Sequence, residues 1–441
     1  MDTAEIRDGL RDMGPAWLAG AIAAGPATIG SLVLAARFGY DLLWVVLLSA
    51  PAGFVGLLLA ARLGTFTEQG IVATVEDRLG EGWAWLLVAD TVIVSMVAQL
   101  LIMFTLAAIS AQLLGLSTEV WAVVWAVVLA VGLAGGGYRV AEVGAKLVVT
   151  AVVLVFIATL VVVPPDPGAA VGGLVPSVPS GSATAITGVL GGAVHVTLLT
   201  MHTYTMRARE WDADDYGLAK FDAGASMLVA FGLYSIAIFL VVAGTLGGQA
   251  VTPTAGAAAA ALEPVVGEAA VTLFLVGILG AAVSTLGGNT VVPPFLVADK
   301  LGWGTTVEDA RYRGLLAATA LISAAGGFVT GNFVPLLAQA LVIGAVGTPF
   351  ALALVLYLLH LGSAERRPST ALTAAGLAVF AIVSLAAGNS VREMVVGLME
   401  SVTPVAALSV LFAAVVGVAT VALGAKFVLR RGESPAAEPA D

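Results

Sequence analysis

Runs of about 20 predominantly apolar residues recur along nearly the whole chain, each long enough to cross the roughly 30 Å hydrocarbon core of a bilayer as a helix. No other feature limits the fold so severely. Inside lipid every backbone N–H and C=O must be satisfied by the protein itself, so the chain reads as a polytopic helical membrane protein with one integral domain. Twelve spans are expected, at 14–37, 41–63, 83–114, 119–136, 141–163, 184–206, 221–246, 269–291, 312–330, 334–359, 370–388 and 403–428.

Basic residues test that count, because they gather in cytoplasmic loops. With the N-terminus inside, only Arg37 and Arg392 of the 19 Lys and Arg fall on the outer side. Both termini are therefore expected in the cytoplasm, and a miscounted span would scramble the pattern. The segment before the first span is polar, with no short apolar core and cleavage site, so no removable signal peptide is expected. The organisation read from this is a cytoplasmic N-terminus (1–13), spans one to five (14–163), an external Pro/Gly/Ser loop (164–183), spans six to ten (184–360), two peripheral spans (361–431) and a disordered tail (432–441).

The first span carries an interruption. Ala21-Ile-Ala-Ala-Gly-Pro-Ala-Thr-Ile-Gly-Ser31 places Pro26 between Gly25 and Gly30, removing a backbone donor and loosening the same turn. At membrane depth, freed backbone groups are tolerable where protein buries them or a polar cavity receives them. A plain proline kink is the alternative. The sixth span is polar too: His195, Thr197, Thr200, His202, Thr203 and Thr205 fall within fifteen residues from Gly191. Threonines can bond back to their own helix, whereas intramembrane histidines are costly unless they line a cavity. Asp90 in the third span is a carboxylate at depth, either a proton-relay group or a buried partner in a structural pair. Ser284-Thr-Leu-Gly-Gly-Asn-Thr290 is expected to break the eighth span, and Gln339 offers an amide in the tenth. Breaks five spans apart mark two inverted five-helix repeats whose broken first helices meet at a midplane site.

Composition excludes several functions. There is no cysteine and there are three histidines (His195, His202, His360), so disulfides, thiolate metal sites and a His-rich zinc centre are out of reach. No phosphate-binding loop is present, which argues against an ATP-driven pump. A net charge of −10 and a mean hydropathy of +1.03 exclude nucleic-acid binding. The acidic, lysine-poor composition suggests a salt-adapted prokaryote, with ordinary acidic loops as the alternative.

Specific motifs carry a family resemblance. Gly14-Pro-Ala-Trp, Gly25-Pro-Ala-Thr28 and Arg37-Phe-Gly-Tyr-Asp-Leu-Leu-Trp44 resemble the first helix and following turn of the Nramp family of proton-coupled divalent-metal transporters. Gly137-Tyr-Arg-Val-Ala-Glu142 resembles the entry to that family's fifth helix, and Gly173-Leu-Val-Pro-Ser-Val-Pro179 the approach to its sixth. Ala89-Asp90 is similar to the third-helix Ala-Glu, and Ala338-Gln339 to the tenth-helix Ser-Gln. The likeness runs from Gly14 to about His360 and implies an all-α, LeuT-type fold of two inverted five-helix repeats with broken first and sixth helices, plus two peripheral helices.

The departures fall at the expected site. The family's first-helix Asp-Pro-Gly-Asn reads Gly-Pro-Ala-Thr here, and its sixth-helix Met-Pro-His reads His195-Val196-Thr197. Losing the aspartate removes roughly 4 kcal/mol of attraction for a unit charge about 4 Å away at an effective dielectric near 20. That argues against tight binding of a dehydrated Mn²⁺ or Fe²⁺ unless another carboxylate enters, and a divalent ion that stays partly hydrated, such as Mg²⁺, would suit the site. The substrate site is expected between the first and sixth helices, lined by Ile22 (through its backbone carbonyl), Gly25, Ala27, Thr28, Gly192, His195 and Thr197, with Gln339 opposite. Thr28, His195 and Gln339 would touch the metal, and Asp90 and His202 would form a proton pathway. The expected partners are the lipid bilayer, a transported divalent metal and protons as the candidate coupling ion, with no resident cofactor and no enzymatic activity. Two other readings stay open: a carrier of a small organic solute such as an amino acid, and a non-transporting membrane sensor on the same scaffold.

Overall fold

The computed structural model describes residues 30–32, 34–67, 69–162, 164–248, 267–329, 333–361, 365–400 and 403–432; for Gln339 and most residues of 137–149 it describes the backbone alone. Every regular element among them is a helix. Nine of these helices are long and apolar enough to span a bilayer. The interruption expected at 21–28, and with it Ile22, Gly25, Ala27 and Thr28, lies outside the described residues.

The chain is helical from Gly30, turns through a 3₁₀ segment at Gly39–Leu42, and enters the second span at Leu43–Thr65. Residues of the 164–182 connection clamp that turn: Trp44 donates its backbone N–H to the Gly173 carbonyl at 3.0 Å and its indole N–H to the Ser177 carbonyl at 3.1 Å. After a short helix, Ile71–Leu79, the third span is Glu81–Leu114. The opposite end of the bundle is the basic one. There Lys300 bridges to Glu76 at 3.0 Å, and Arg62 donates to the Glu365 and Arg366 carbonyls, tying the second span to the connection between the tenth and eleventh.

Two expectations are modified. Spans four and five, expected at 119–136 and 141–163, are joined within one helical run, Thr118–Val162, yet the chain crosses twice: Gly136 lines a cavity with Arg207 and Asp299, and Asp166, just past Val162, donates its N–H to Tyr40 at the opposite end. The eighth span is likewise unbroken, Glu268–Lys300. Its polar residues bond inside the helix instead of interrupting it: Thr290 Oγ1 donates to the Leu286 carbonyl at 2.6 Å and Asn289 Nδ2 to the Thr285 carbonyl at 3.1 Å. The ninth span is an α-helix, Ala310–Ile322, continued by a 3₁₀ stretch, Ser323–Phe328. The seventh winds from α (Tyr216–Ala223) through a π segment (Gly224–Phe231) back to α (Gly232–Leu246).

Burial orders these helices around the sixth span. The apolar window of Ala185–Ala208 is 100% buried within the protein, against 28% for Thr370–Met399 and 39% for Ala406–Leu429. The eleventh and twelfth helices (Thr370–Glu400, Pro404–Gly432) therefore expose apolar faces such as Leu385, Leu408, Val418 and Val421, as lipid-facing peripheral helices must. The second span reaches the central helix through small residues. A Cβ at Gly53 would stand 2.7 Å from the Ala193 carbonyl oxygen, and one at Gly64 would stand 2.7 Å from that of Thr203. Such close backbone approach is how membrane helices pack when no hydrophobic effect drives them together.

Candidate functional site

The sixth span is two half-helices, as its polar sequence predicts. Ala183–Ala193 ends at Val194, His195 is extended (φ −61°, ψ 144°), and Val196–Ala208 begins beyond it. No proline makes this break. The first half ends on Gly191-Gly192, weak helix formers, and His195 takes the capping position of the second half. The terminal carbonyls of the first half and the leading amides of the second lack partners within their helices. Opposed partial charges thus meet at the break, at Gly192 and His195.

His195 is held on both sides. Its Nδ1 lies 2.6 Å from Thr197 Oγ1, which fixes the ring in either tautomer. Its Nε2 faces the tenth helix, Phe333–Leu361, at Gly344, where a Cβ would come within 3.1 Å. One turn on, a Cβ at Gly347 would lie 2.5 Å and 2.7 Å from the two oxygens of Asp90. Val94, one turn after Asp90, also borders Gly344. The third, sixth and tenth helices therefore converge on a glycine pair, with imidazole and carboxylate about a turn apart on one face of the tenth.

Asp90 is fully buried, and neither oxygen has a hydrogen-bond partner among the described residues. A naked carboxylate at this depth costs several kcal/mol, so it must be protonated or face a cation. The pairing expected between Asp90 and His202 is not a direct bond. His202 Nδ1 lies 3.2 Å from Thr205 Oγ1, while its Nε2 is buried without a partner. His202 stands seven residues, about 10 Å of helix, beyond His195. Gln339 belongs to the tenth helix, one and a half turns before Gly344, with only its backbone described.

Several contacts escape a reading of sequence alone. Ser95 donates to the Asn289 carbonyl at 3.0 Å, joining the third span to the eighth. Gln99 and Ser284, both buried, keep unpartnered polar atoms. Ile102, Met103, Leu106 and Leu286 close this polar layer on its far side with an apolar cluster. Towards the basic end, a cavity of about 490 Å³ opens between Tyr204, Arg207, Phe295, Asp299, Glu308 and Tyr312. Tyr204 Oη donates to Asp299 at 2.6 Å and accepts the Val72 N–H at 3.3 Å, so one hydroxyl links the second half-helix, the eighth span and the Ile71–Leu79 helix.

Among the described residues no three His, Asp or Glu side chains converge as a metal cluster. Backbone carbonyls at the break, His195 and bound water would have to make up the rest of a cation's shell.

Comparison with known proteins points the same way. Residues 16–393 match the family model Nramp, "Natural resistance-associated macrophage protein-like". The chain is 28% identical over 299 residues to the divalent metal cation transporter MntH of Yersinia pestis (strain Pestoides F), covering 64% of this chain and 73% of that protein. It is 27% identical over 309 residues to the MntH of Deinococcus radiodurans, covering 66% of this chain and 70% of that protein. A crystal structure of a mutant manganese transporter from Eremococcus coleocola superposes with a TM-score of 0.79 at 16% identity, over 98% of this chain and 97% of the other. That likeness is one of fold: a LeuT-type bundle with the broken sixth helix at its centre.

Proposed function

Because the chain belongs to the Nramp family, we propose that it is a multi-pass membrane transporter carrying a divalent metal cation by alternating access. The observation that carries this reading is the broken sixth helix, with buried His195 at its break and its Nε2 turned towards the tenth helix. Its relatives' names supply the substrate class. A metal at Nε2 requires the Nδ1 proton to be donated to Thr197, the outer-shell bond that commonly orients a ligating imidazole. Gly192, Thr197, Ile22, Gly25, Ala27 and Thr28 line the rest of the site in this reading, with Gln339 opposite. Gly25 supplies no charge, so the ion is bound weakly and keeps part of its water, which favours Mg²⁺ and Mn²⁺ over tight capture of a bare ion.

Asp90 and His202 are the groups that would carry protons in this scheme, since Asp90 is buried without a partner and His202 Nε2 is free of one. A water would have to bridge them. The basic end faces the cytoplasm of a prokaryotic plasma membrane, with both termini inside, in keeping with the distribution of Lys and Arg. Uptake into proteoliposomes across a panel of Mg²⁺, Mn²⁺, Fe²⁺ and amino acids tests the proposal. Saturable uptake of a divalent metal is expected, with internal acidification lost in Asp90→Asn if protons are coupled. Uptake of an amino acid without any metal would replace the reading with the organic-solute carrier, and no uptake at all with the sensor.

A further inference from the structure

At the basic end, beside the Ile71–Leu79 helix, lies a second cavity of about 320 Å³. Thr67, Gln69, Thr74, Asp77, Arg78 and Arg366 line it. We propose that this cavity binds a phosphate group at the membrane surface, clamped between the guanidinium groups of Arg78 and Arg366.

The local chemistry is unusual for a chain of net charge −10. Two arginines from segments nearly 300 residues apart face one concavity, and among the described residues neither has a carboxylate within ion-pair distance. Arg366 is positioned from behind. Its Nη2 donates to the Phe66 carbonyl at 3.0 Å, and its own carbonyl accepts from Arg62 Nε at 3.0 Å. Arg62 in turn stacks over Phe66 and Tyr216, at 4.6 Å and 5.0 Å from their ring centres. Arg366 Nε is left buried with no partner, an unmade hydrogen bond to a charged donor. Burial, and beside it the like charge of Arg78, hold the Arg366 guanidinium below the usual arginine range.

An anion between the two guanidinium groups neutralises their repulsion and offsets the cost of burying Arg366. Guanidinium forks match the several oxygens of a phosphate better than a spherical halide, and a carboxylate would satisfy fewer of the donors. The Thr67 and Thr74 hydroxyls already donate to the Leu63 and Gly70 carbonyls, so specificity rests on the two arginines and the Gln69 amide. Asp77 sits on the same wall and weakens binding. The cavity opens where the second span ends and the tenth-to-eleventh connection begins, so an anionic lipid headgroup and a free phosphate both reach it.

The test uses the full-length protein in two arms. In neutral detergent, inorganic phosphate is titrated at constant ionic strength while the thermal unfolding midpoint is followed. In phosphatidylcholine nanodiscs, the same midpoint is followed as phosphatidylglycerol is added. A saturable rise in midpoint is expected in at least one arm, and which arm responds identifies the source of the phosphate. Arg78→Gln should weaken the apparent affinity about tenfold or more, whereas Asp77→Asn should strengthen it. Opposite shifts from neighbouring residues separate ligand binding from a folding defect. No saturable response in either arm, or a response that both variants leave unchanged, overturns the site.

Discussion

Replacing Gly347 with alanine should set a methyl group against the Asp90 carboxylate, at 2.5 Å and 2.7 Å from its oxygens. Both distances lie well inside van der Waals contact, and Asp90 is fully buried, so the carboxylate has nowhere free to go. Overpacking of this kind costs about 1–3 kcal/mol. Against it stands the helix preference of alanine over glycine, about 1 kcal/mol. The single variant should therefore lose up to about 2 kcal/mol and still fold. The sign reverses when the carboxylate is removed. In an Asp90→Ala background the methyl enters vacated space, and Gly347→Ala should be neutral or stabilising by up to about 1 kcal/mol, a coupling of about 1–3 kcal/mol. Unfolding of the four proteins in mixed micelles measures this cycle directly. Additive effects, with the same penalty in both backgrounds, would show that Asp90 does not stand against Gly347 and would dismantle the convergence of the third and tenth helices at the site.

Other expectations follow from the same packing. Gly53→Ala pushes a methyl to 2.7 Å from the Ala193 carbonyl and against Met227, and should destabilise by about 1–3 kcal/mol, whereas Gly287→Ala, with nothing within 4 Å, should be neutral or stabilising in the same unfolding assay. Tyr204→Phe removes the bond to Asp299 and the acceptor for Val72 N–H; a loss of about 1–3 kcal/mol and faster proteolysis near Ile71–Leu79 should accompany it.

How much of this was legible beforehand depends on whether the determinant was local. Periodicity and charge located the spans, because lipid forces each helix to satisfy its own backbone. The break at Val194 and His195 was legible for a related reason: two histidines and two adjacent glycines make a continuous apolar helix expensive there. The same logic misled at Ser284–Thr290, where hydroxyl and amide groups bond back within one unbroken helix. Between the expected fourth and fifth spans it missed that the helical run Thr118–Val162 holds no non-helical residue. Asp90 was recognisable as a costly carboxylate, but its setting was not. That depends on Gly347 and Gly344, some 250 residues away, whose meaning is the absence of atoms beside Asp90 and His195. The Tyr204–Asp299 bond and the Arg78–Arg366 cavity are likewise products of tertiary approach, with no local pattern to announce them.

The account rests on a divalent cation meeting His195 at the break of the sixth helix. Equilibrium binding of Mn²⁺ and Mg²⁺ to the purified protein, compared with His195→Ala and with Thr197→Val, tests this most directly. Saturable binding is predicted, weakened about tenfold or more in His195→Ala and less in Thr197→Val, which leaves the imidazole in place but unanchored. Binding of both ions at unchanged affinity in His195→Ala would contradict it.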